Sequence, residues 1–114
     1  MQVLTDENYI ERVLKGDKSS FAIIMERHKN MVFTIANRML RNREEAEEIT
    51  QDAFLKAYRS LKKFKKQAKF STWLYKIVYN QCISELRKKK RMSYSIDDEE
   101  NSNFEIEDTY NKVD

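Results

Sequence analysis

Apolar residues recur along most of this chain at steps of three and four, the spacing that gathers side chains on one side of an α-helix. The clearest stripe is Phe21, Ile24, Met25, His28, Val32, Ile35, Ala36 and Met39, which predicts a helix from about Lys18 to Leu40 after an Asp17 cap. A shorter helix is expected before it, from about Asp6 to Lys15, capped by Thr5 or Asp6, with Ile10, Val13 and Leu14 on one face and Gly16 as its stop. Asn42 followed by Glu45 has capping-box spacing, and Glu44, Glu45, Glu47 and Glu48 suit the positive end of a helix dipole. A third helix therefore begins near Arg43. Its stripe of Ala46, Ile49, Ala53 and Ala57 is small enough for close packing, with Phe54, Tyr58 and Leu61 beside it, so this helix can be sandwiched in the core.

The segment KKFKKQAK, Lys62 to Lys69, holds five lysines and no acid, so repulsion favours a loop or frayed end over continued helix. Ser71 or Thr72 is then placed to cap a fourth helix running to about Arg91. Trp73, Ile77, Leu86 and the row Leu74, Val78, Cys82 supply its buried side. Tyr75, Lys76, Tyr79, Asn80, Ser84 and Arg87 are left outward or at the boundary. With no Pro, a single Gly and no alternating run of β-branched residues, the chain reads as all-α, a compact bundle of three to four helices.

At 114 residues there is room for one modest core and one domain, expected over residues 1–92. No apolar run approaches the ~20 residues that span a bilayer, and Met1 opens on a polar segment, which points to the cytoplasm. Cys82 has no partner for a disulfide or a metal site and is expected to act as a small buried apolar residue.

Charge divides the chain. The net value is only +3, but Met1 to Met92 carries 21 Lys and Arg against 11 Asp and Glu, while Ser93 to Asp114 carries 1 against 8. Leu55 to Met92 alone holds 13 basic residues and one acid, Glu85. Blocks of opposite sign imply different partners, or masking of one by the other. Residues 93–114, with isolated Tyr94, Ile96, Phe104, Ile106 and Tyr110, are too poor in apolar side chains to build a core and read as an acidic, largely irregular linker or tail.

Catalysis finds little support: one His, one Cys and one Gly leave no nucleophile and base pair, phosphate loop or metal cluster, so no catalytic residue, metal or cofactor is assigned. His28, on the apolar stripe, reads as a satisfied core or boundary histidine, and Glu44 to Glu48 as the solvated first turn of a helix. The basic half is more informative. Phe64, Phe70, Trp73, Tyr75 and Tyr79 lie among its cations, and single-stranded bases stack on rings while phosphates meet Lys and Arg. Asn80, Ser84, Arg87 and Arg91 follow at steps of four, three and four, one helix face carrying side chains that pair with base edges or phosphates. On the third helix Glu48, Gln51, Asp52 and Leu55 form a mixed acidic and apolar face, which either meets water or docks a basic protein surface. A general single-strand or RNA-binding module explains the basic half but leaves that face idle; a protein-interaction domain is the other alternative.

The run EEAEEITQDAFLKAYRSL (Glu44 to Leu61) and the run KFSTWLYKIVYNQCISELRKKKR (Lys69 to Arg91) closely resemble region 2 of bacterial RNA polymerase sigma factors of the extracytoplasmic-function (ECF) group, and Phe21 to Arg41 resembles the part before them. The resemblance, covering about Asn8 to Arg91, implies a sigma-2 type bundle, not an enzyme, that binds core RNA polymerase and recognises and helps melt the upstream (minus-ten) promoter element. It implies that Glu48, Gln51, Asp52 and Leu55 meet the coiled coil of the largest polymerase subunit. Phe70, Thr72, Trp73 and Tyr75, with Tyr79 nearby, would engage the melted non-template strand. The loop carrying Lys62, Lys63, Lys65, Lys66 and Lys69 would hold a flipped base, and Asn80, Ser84, Arg87 and Lys88, continued by Arg91, would read the upstream element.

Two departures qualify the likeness. Housekeeping sigma factors carry paired tryptophans where this chain has Lys76 and Ile77, implying less forceful melting. Such factors also carry a second, helix-turn-helix domain, so the chain is expected to be part of a longer factor, ending in its acidic inter-domain linker. An anti-sigma factor is an implied partner.

Overall fold

The computed structural model describes residues 4–65 and 67–96, the last four of these by backbone alone. Four helices, α1 (Asp6–Leu14), α2 (Ser19–Leu40), α3 (Arg43–Arg59) and α4 (Phe70–Ile96), are joined by short links and by a 3-10 turn at Leu61–Lys63. Among the described residues there is no strand. Of the acidic segment 93–114 expected as a tail, residues 97–114 lie outside them.

Local chemistry explains the helix starts and the ends of α1 and α2. At α1, the Asn8 backbone N–H donates to Thr5 Oγ1 (3.1 Å) and the Thr5 N–H donates to Asn8 Oδ1 (3.2 Å), a reciprocal cap in which Asn replaces the usual Glu or Gln. The chain turns after it at Gly16, whose φ of +114° strains any residue with a Cβ. Ile10 and Val13 point inward as expected, but Leu14 is 47% exposed. With a turn of about 100° per residue, the contacts of Tyr9 and Val13 centre the buried stripe on one flank of Ile10 and leave Leu14 on the other.

Asp17 acts one position earlier than expected. Lys18 is the residue flanking α2, and the Asp17 carboxylate accepts from the hydroxyls of Ser19 (2.6 Å) and Ser20 (2.9 Å). Those bonds, Ser19 first, hold its carboxyl below the ordinary aspartate value. The other end of α2 closes on Arg41, whose N–H donates to Asn37 O while φ sits at +55°, the left-handed region that glycine usually fills. Asn42 then caps α3, Oδ1 accepting from the Glu45 N–H at 3.0 Å.

α3 packs on both α2 and α4, and α1 rests on α2 and against the 3-10 turn. The contact is close because Ala46, Ala53 and Ala57 are fully buried and Ile49 nearly so. Phe21 of α2 meets Phe54 and Tyr58 of α3 edge to face, at 6.4 Å and 5.2 Å between ring centres. From α4, Leu74, Val78 and Cys82 enter the core completely. Burial, helped by the charge of Glu85, pushes the Cys82 thiol up to about 11, so it stays protonated and inert at neutral pH.

Two expectations for α4 are corrected. Its first turn is set by the Lys69 carbonyl, which accepts from the Thr72 and Trp73 N–H groups (both 3.1 Å), so Ser71 and Thr72 lie inside the helix rather than capping it. The helix also runs past Arg91 to Ile96, with neither Gly nor Pro to interrupt it over that stretch.

The left-handed Arg41 generates a stability prediction. Arg41→Gly removes a side-chain clash worth about 1–2 kcal/mol, partly offset by the greater freedom of glycine in the unfolded chain. The urea midpoint should rise by the equivalent of roughly 0.5–1 kcal/mol with an unchanged slope; a lower midpoint would show that Arg41 makes a contact worth more than its strain.

Candidate nucleic-acid interface and docking face

The lysine loop is held down by rings. Phe64 at its start and Phe70 at its end are both buried and meet edge to face at 5.7 Å. Trp73, one turn into α4, lies 5.3 Å from Phe64 and 5.7 Å from Phe70. This three-ring cluster offsets the repulsion among the loop's cations. Lys62, Lys63, Lys65 and Lys69 are exposed around it; the side chain of Lys66 lies outside the described residues.

Phe70 requires a correction. It was expected among the residues engaging a melted strand, but at 1% exposure its ring is spent on Phe64, Trp73 and His28 and offers no face to a base. Trp73 is only partly buried, and Thr72 beside it is exposed. Farther along α4, Tyr75 and Tyr79 lie nearly parallel, 9° apart in plane with centres at 6.1 Å, and Tyr75 is 44% exposed. Asn80, Ser84, Arg87, Lys88 and Arg91 continue outward on the same helix. From Tyr75 to Arg91 this surface runs about 24 Å at the helical rise. Chemically it offers ring faces at one end, hydrogen-bonding side chains in the middle and cations at both ends.

Lys89 behaves differently from its neighbours in the RKKKR run. Its ammonium pairs with Glu45 at the start of α3, fastening the far part of α4 to the bundle. The capping-box spacing of Asn42 and Glu45 foretold the backbone half of that motif, but the Glu45 carboxylate goes to Lys89.

On α3, Glu48, Gln51 and Asp52 are exposed, and Leu55 is 47% exposed among them. Their spacing places them on one face, away from the buried alanine stripe. An apolar side chain ringed by acids and an amide suits a partner that brings both a basic group and an apolar contact.

A third constellation, at the α1–α2 contact, went unseen in the sequence. Asp6 Oδ1 accepts from Arg27 Nη1 at 3.1 Å, and Oδ2 lies 2.8 Å from His28 Nε2. Arg27 also donates to the Leu4 carbonyl (2.6 Å), with its guanidinium over the Tyr9 ring at 4.9 Å. The apolar stripe placed His28 in the core or at its boundary, and it is found at the boundary, but no local spacing signals a partner 22 residues away. Among the described residues no group of His, Cys, Asp and Glu is arranged to hold a metal ion, and no helix is long and apolar enough to cross a membrane.

The chain is similar to known proteins. The family model for sigma-70 region 2 matches residues 24–92. The ECF RNA polymerase sigma factor SigW of Bacillus subtilis (strain 168) is 46% identical over 81 residues, covering 71% of this chain and 43% of that protein. The ECF RNA polymerase sigma-E factor of Escherichia coli (strain K12) is 36% identical over 104 residues, covering 90% of this chain and 54% of that one. The chain thus spans about half the length of the curated relatives it matches. Among solved structures, an engineered region 2 of sigmaE in complex with GTAAAA, determined by NMR, superposes with a TM-score of 0.73 at 36% identity, over 81% of this chain and 97% of that one. The chain belongs to the sigma-70 region 2 family, within the ECF group of sigma factors.

Proposed function

We propose that this chain is a transcription initiation domain that binds core RNA polymerase and recognises and helps melt the minus-ten promoter element, acting by binding rather than by catalysis. The observation that carries this reading is the surface of α4, where partly buried Trp73 and exposed Tyr75 stand beside a pinned lysine loop and run into Asn80, Ser84, Arg87 and Arg91. A solved relative of the same shape is in complex with GTAAAA.

In this reading Trp73, Tyr75 and Tyr79 supply stacking surface for unpaired non-template bases, and Thr72 a hydrogen bond at their edge. Lys62, Lys63, Lys65, Lys66 and Lys69 neutralise phosphates around a base turned out of the stack, while Phe70 holds Trp73 in place from beneath. Asn80, Ser84, Arg87, Lys88 and Arg91 contact the adjoining promoter element. Lys76 is exposed and Ile77 partly buried at the positions of the housekeeping tryptophan pair, so neither position carries a ring to wedge a duplex apart and melting depends on a favourable promoter. Residues 1–92 form the region 2 domain, and 93–114 a linker or tail whose first four residues prolong α4.

Glu48, Gln51, Asp52 and Leu55 form the docking face for the coiled coil of the largest polymerase subunit, placing the protein in the cytoplasm with that enzyme. An anti-sigma factor would act by covering the same face or the aromatic loop.

Two measurements test the two faces. A single-stranded oligonucleotide containing GTAAAA should bind with an affinity that falls as salt rises, with a slope of about −0.7 per neutralised phosphate. Trp73→Ala should weaken it by roughly 1–3 kcal/mol; salt-independent binding, or none of that loss, defeats the assignment. On the other face, replacing Gln51 and Asp52 together by Ala should abolish capture by core RNA polymerase while the circular dichroism spectrum stays helical. Retained capture by that folded variant would remove α3 as the docking face.

A further inference from the structure

Helix α1 precedes the residues matched by the family model, yet it touches α2 and the 3-10 turn from which the lysine loop departs. We propose that α1 is a positioning element for the nucleic-acid face, acting through Asp6 and His28 on Phe70 and, through Phe70, on Trp73. The proposal rests on the reading of Trp73 as a base-stacking ring.

The contacts form a continuous relay. Asp6 stands in the first turn of α1, where backbone N–H groups favour a carboxylate, and both of its oxygens are engaged by α2. An ionised carboxylate only accepts, so the nitrogen facing it, His28 Nε2, carries the hydrogen. That bond fixes the tautomer and the plane of the imidazole. The His28 side chain is 14% exposed, and its ring packs against Phe70 with centres 5.5 Å apart and planes tilted by 60°. Phe70 in turn contacts Trp73 and Phe64. Closely packed side chains have few alternative arrangements, so a ring freed to turn at His28 changes the wall on which Phe70 rests.

Arg27 supplies the internal control. It draws on the other Asp6 oxygen and so helps dock α1, but the rings of the cluster meet His28. If α1 only adds stability, removing its Asp6 carboxylate leaves the His28 and Phe70 rings where they are; if α1 positions the cluster, that removal moves them while loss of Arg27 does not.

Trp73 is the single tryptophan of the chain, so its fluorescence reports the cluster directly. The full chain is compared with Asp6→Ala, His28→Gln and Arg27→Gln, each checked for native helicity. Asp6→Ala and His28→Gln should shift the Trp73 emission maximum and make it more accessible to acrylamide. They should also weaken binding of the GTAAAA-containing single strand by roughly three- to tenfold, the equivalent of one net hydrogen bond. Arg27→Gln should leave emission at the wild-type position. Should Asp6→Ala lose helicity, Asp6→Asn carries the test, because it keeps the side-chain shape and leaves the His28 ring in place. Unchanged emission in a helical Asp6 variant, or an equal shift in Arg27→Gln, overturns the relay. Failure of the wild-type chain to bind the oligonucleotide would instead defeat the proposed function, and the emission comparison, made without nucleic acid, would still decide the relay.

Discussion

The close approach of α3 to its neighbours is the constraint on which the remaining structure depends. Ala46, Ala53 and Ala57 present almost nothing beyond the backbone surface, so α2 and α4 settle against one side of α3 with no residual exposure at those positions. A larger side chain at any of them would have to displace a helix rather than a rotamer. Because that side of α3 is consumed, its other side faces solvent, and Glu48, Gln51, Asp52 and Leu55 are shown to the outside. The same packing turns Leu74, Val78 and Cys82 inward and thereby sets Tyr75, Asn80, Ser84 and Arg87 outward. Both candidate faces are thus the complements of one buried interface.

Electrostatics alone would not hold the basic half in order. Five lysines within eight residues repel one another, and no acid lies in the segment. Aromatic burial opposes the repulsion: Phe64 and Phe70 anchor the loop at both ends, and Trp73 closes the cluster. Farther along, the Glu45–Lys89 pair ties the distal part of α4 to the start of α3. With both side chains about a third exposed, such a pair adds little stability. Its effect is geometric: one of the clustered cations is turned toward the bundle, leaving Arg87, Lys88 and Arg91 outward.

Much of this was legible in the sequence because the signals are local. Steps of three and four gave the helices, Asn42 followed by Glu45 gave the start of α3, and the alanine spacing gave its buried side. The misread positions are those where local chemistry offers equivalent choices. Ser71 and Thr72 are better capping residues than Lys69, but burial of Phe70 begins the helix earlier. Phe70 itself is indistinguishable from Trp73 or Tyr75 by composition, and only the fold separates the ring beneath the surface from those upon it. Arg41 in a left-handed conformation has no sequence signature. The Asp6–His28 and Glu45–Lys89 pairs, 22 and 44 residues apart, join elements whose relative placement no single-sequence period encodes.

Two faces built as complements of one core should be able to work at the same time. The most direct measurement is co-sedimentation of a labelled GTAAAA single strand with core RNA polymerase, with and without this chain, at a salt concentration where polymerase alone retains none. The strand should sediment with polymerase only when the chain is present, in a ternary complex that keeps the chain but loses the strand when Trp73 is replaced by Ala. Mutual displacement of strand and polymerase would contradict this, because it would place both partners on a single shared surface.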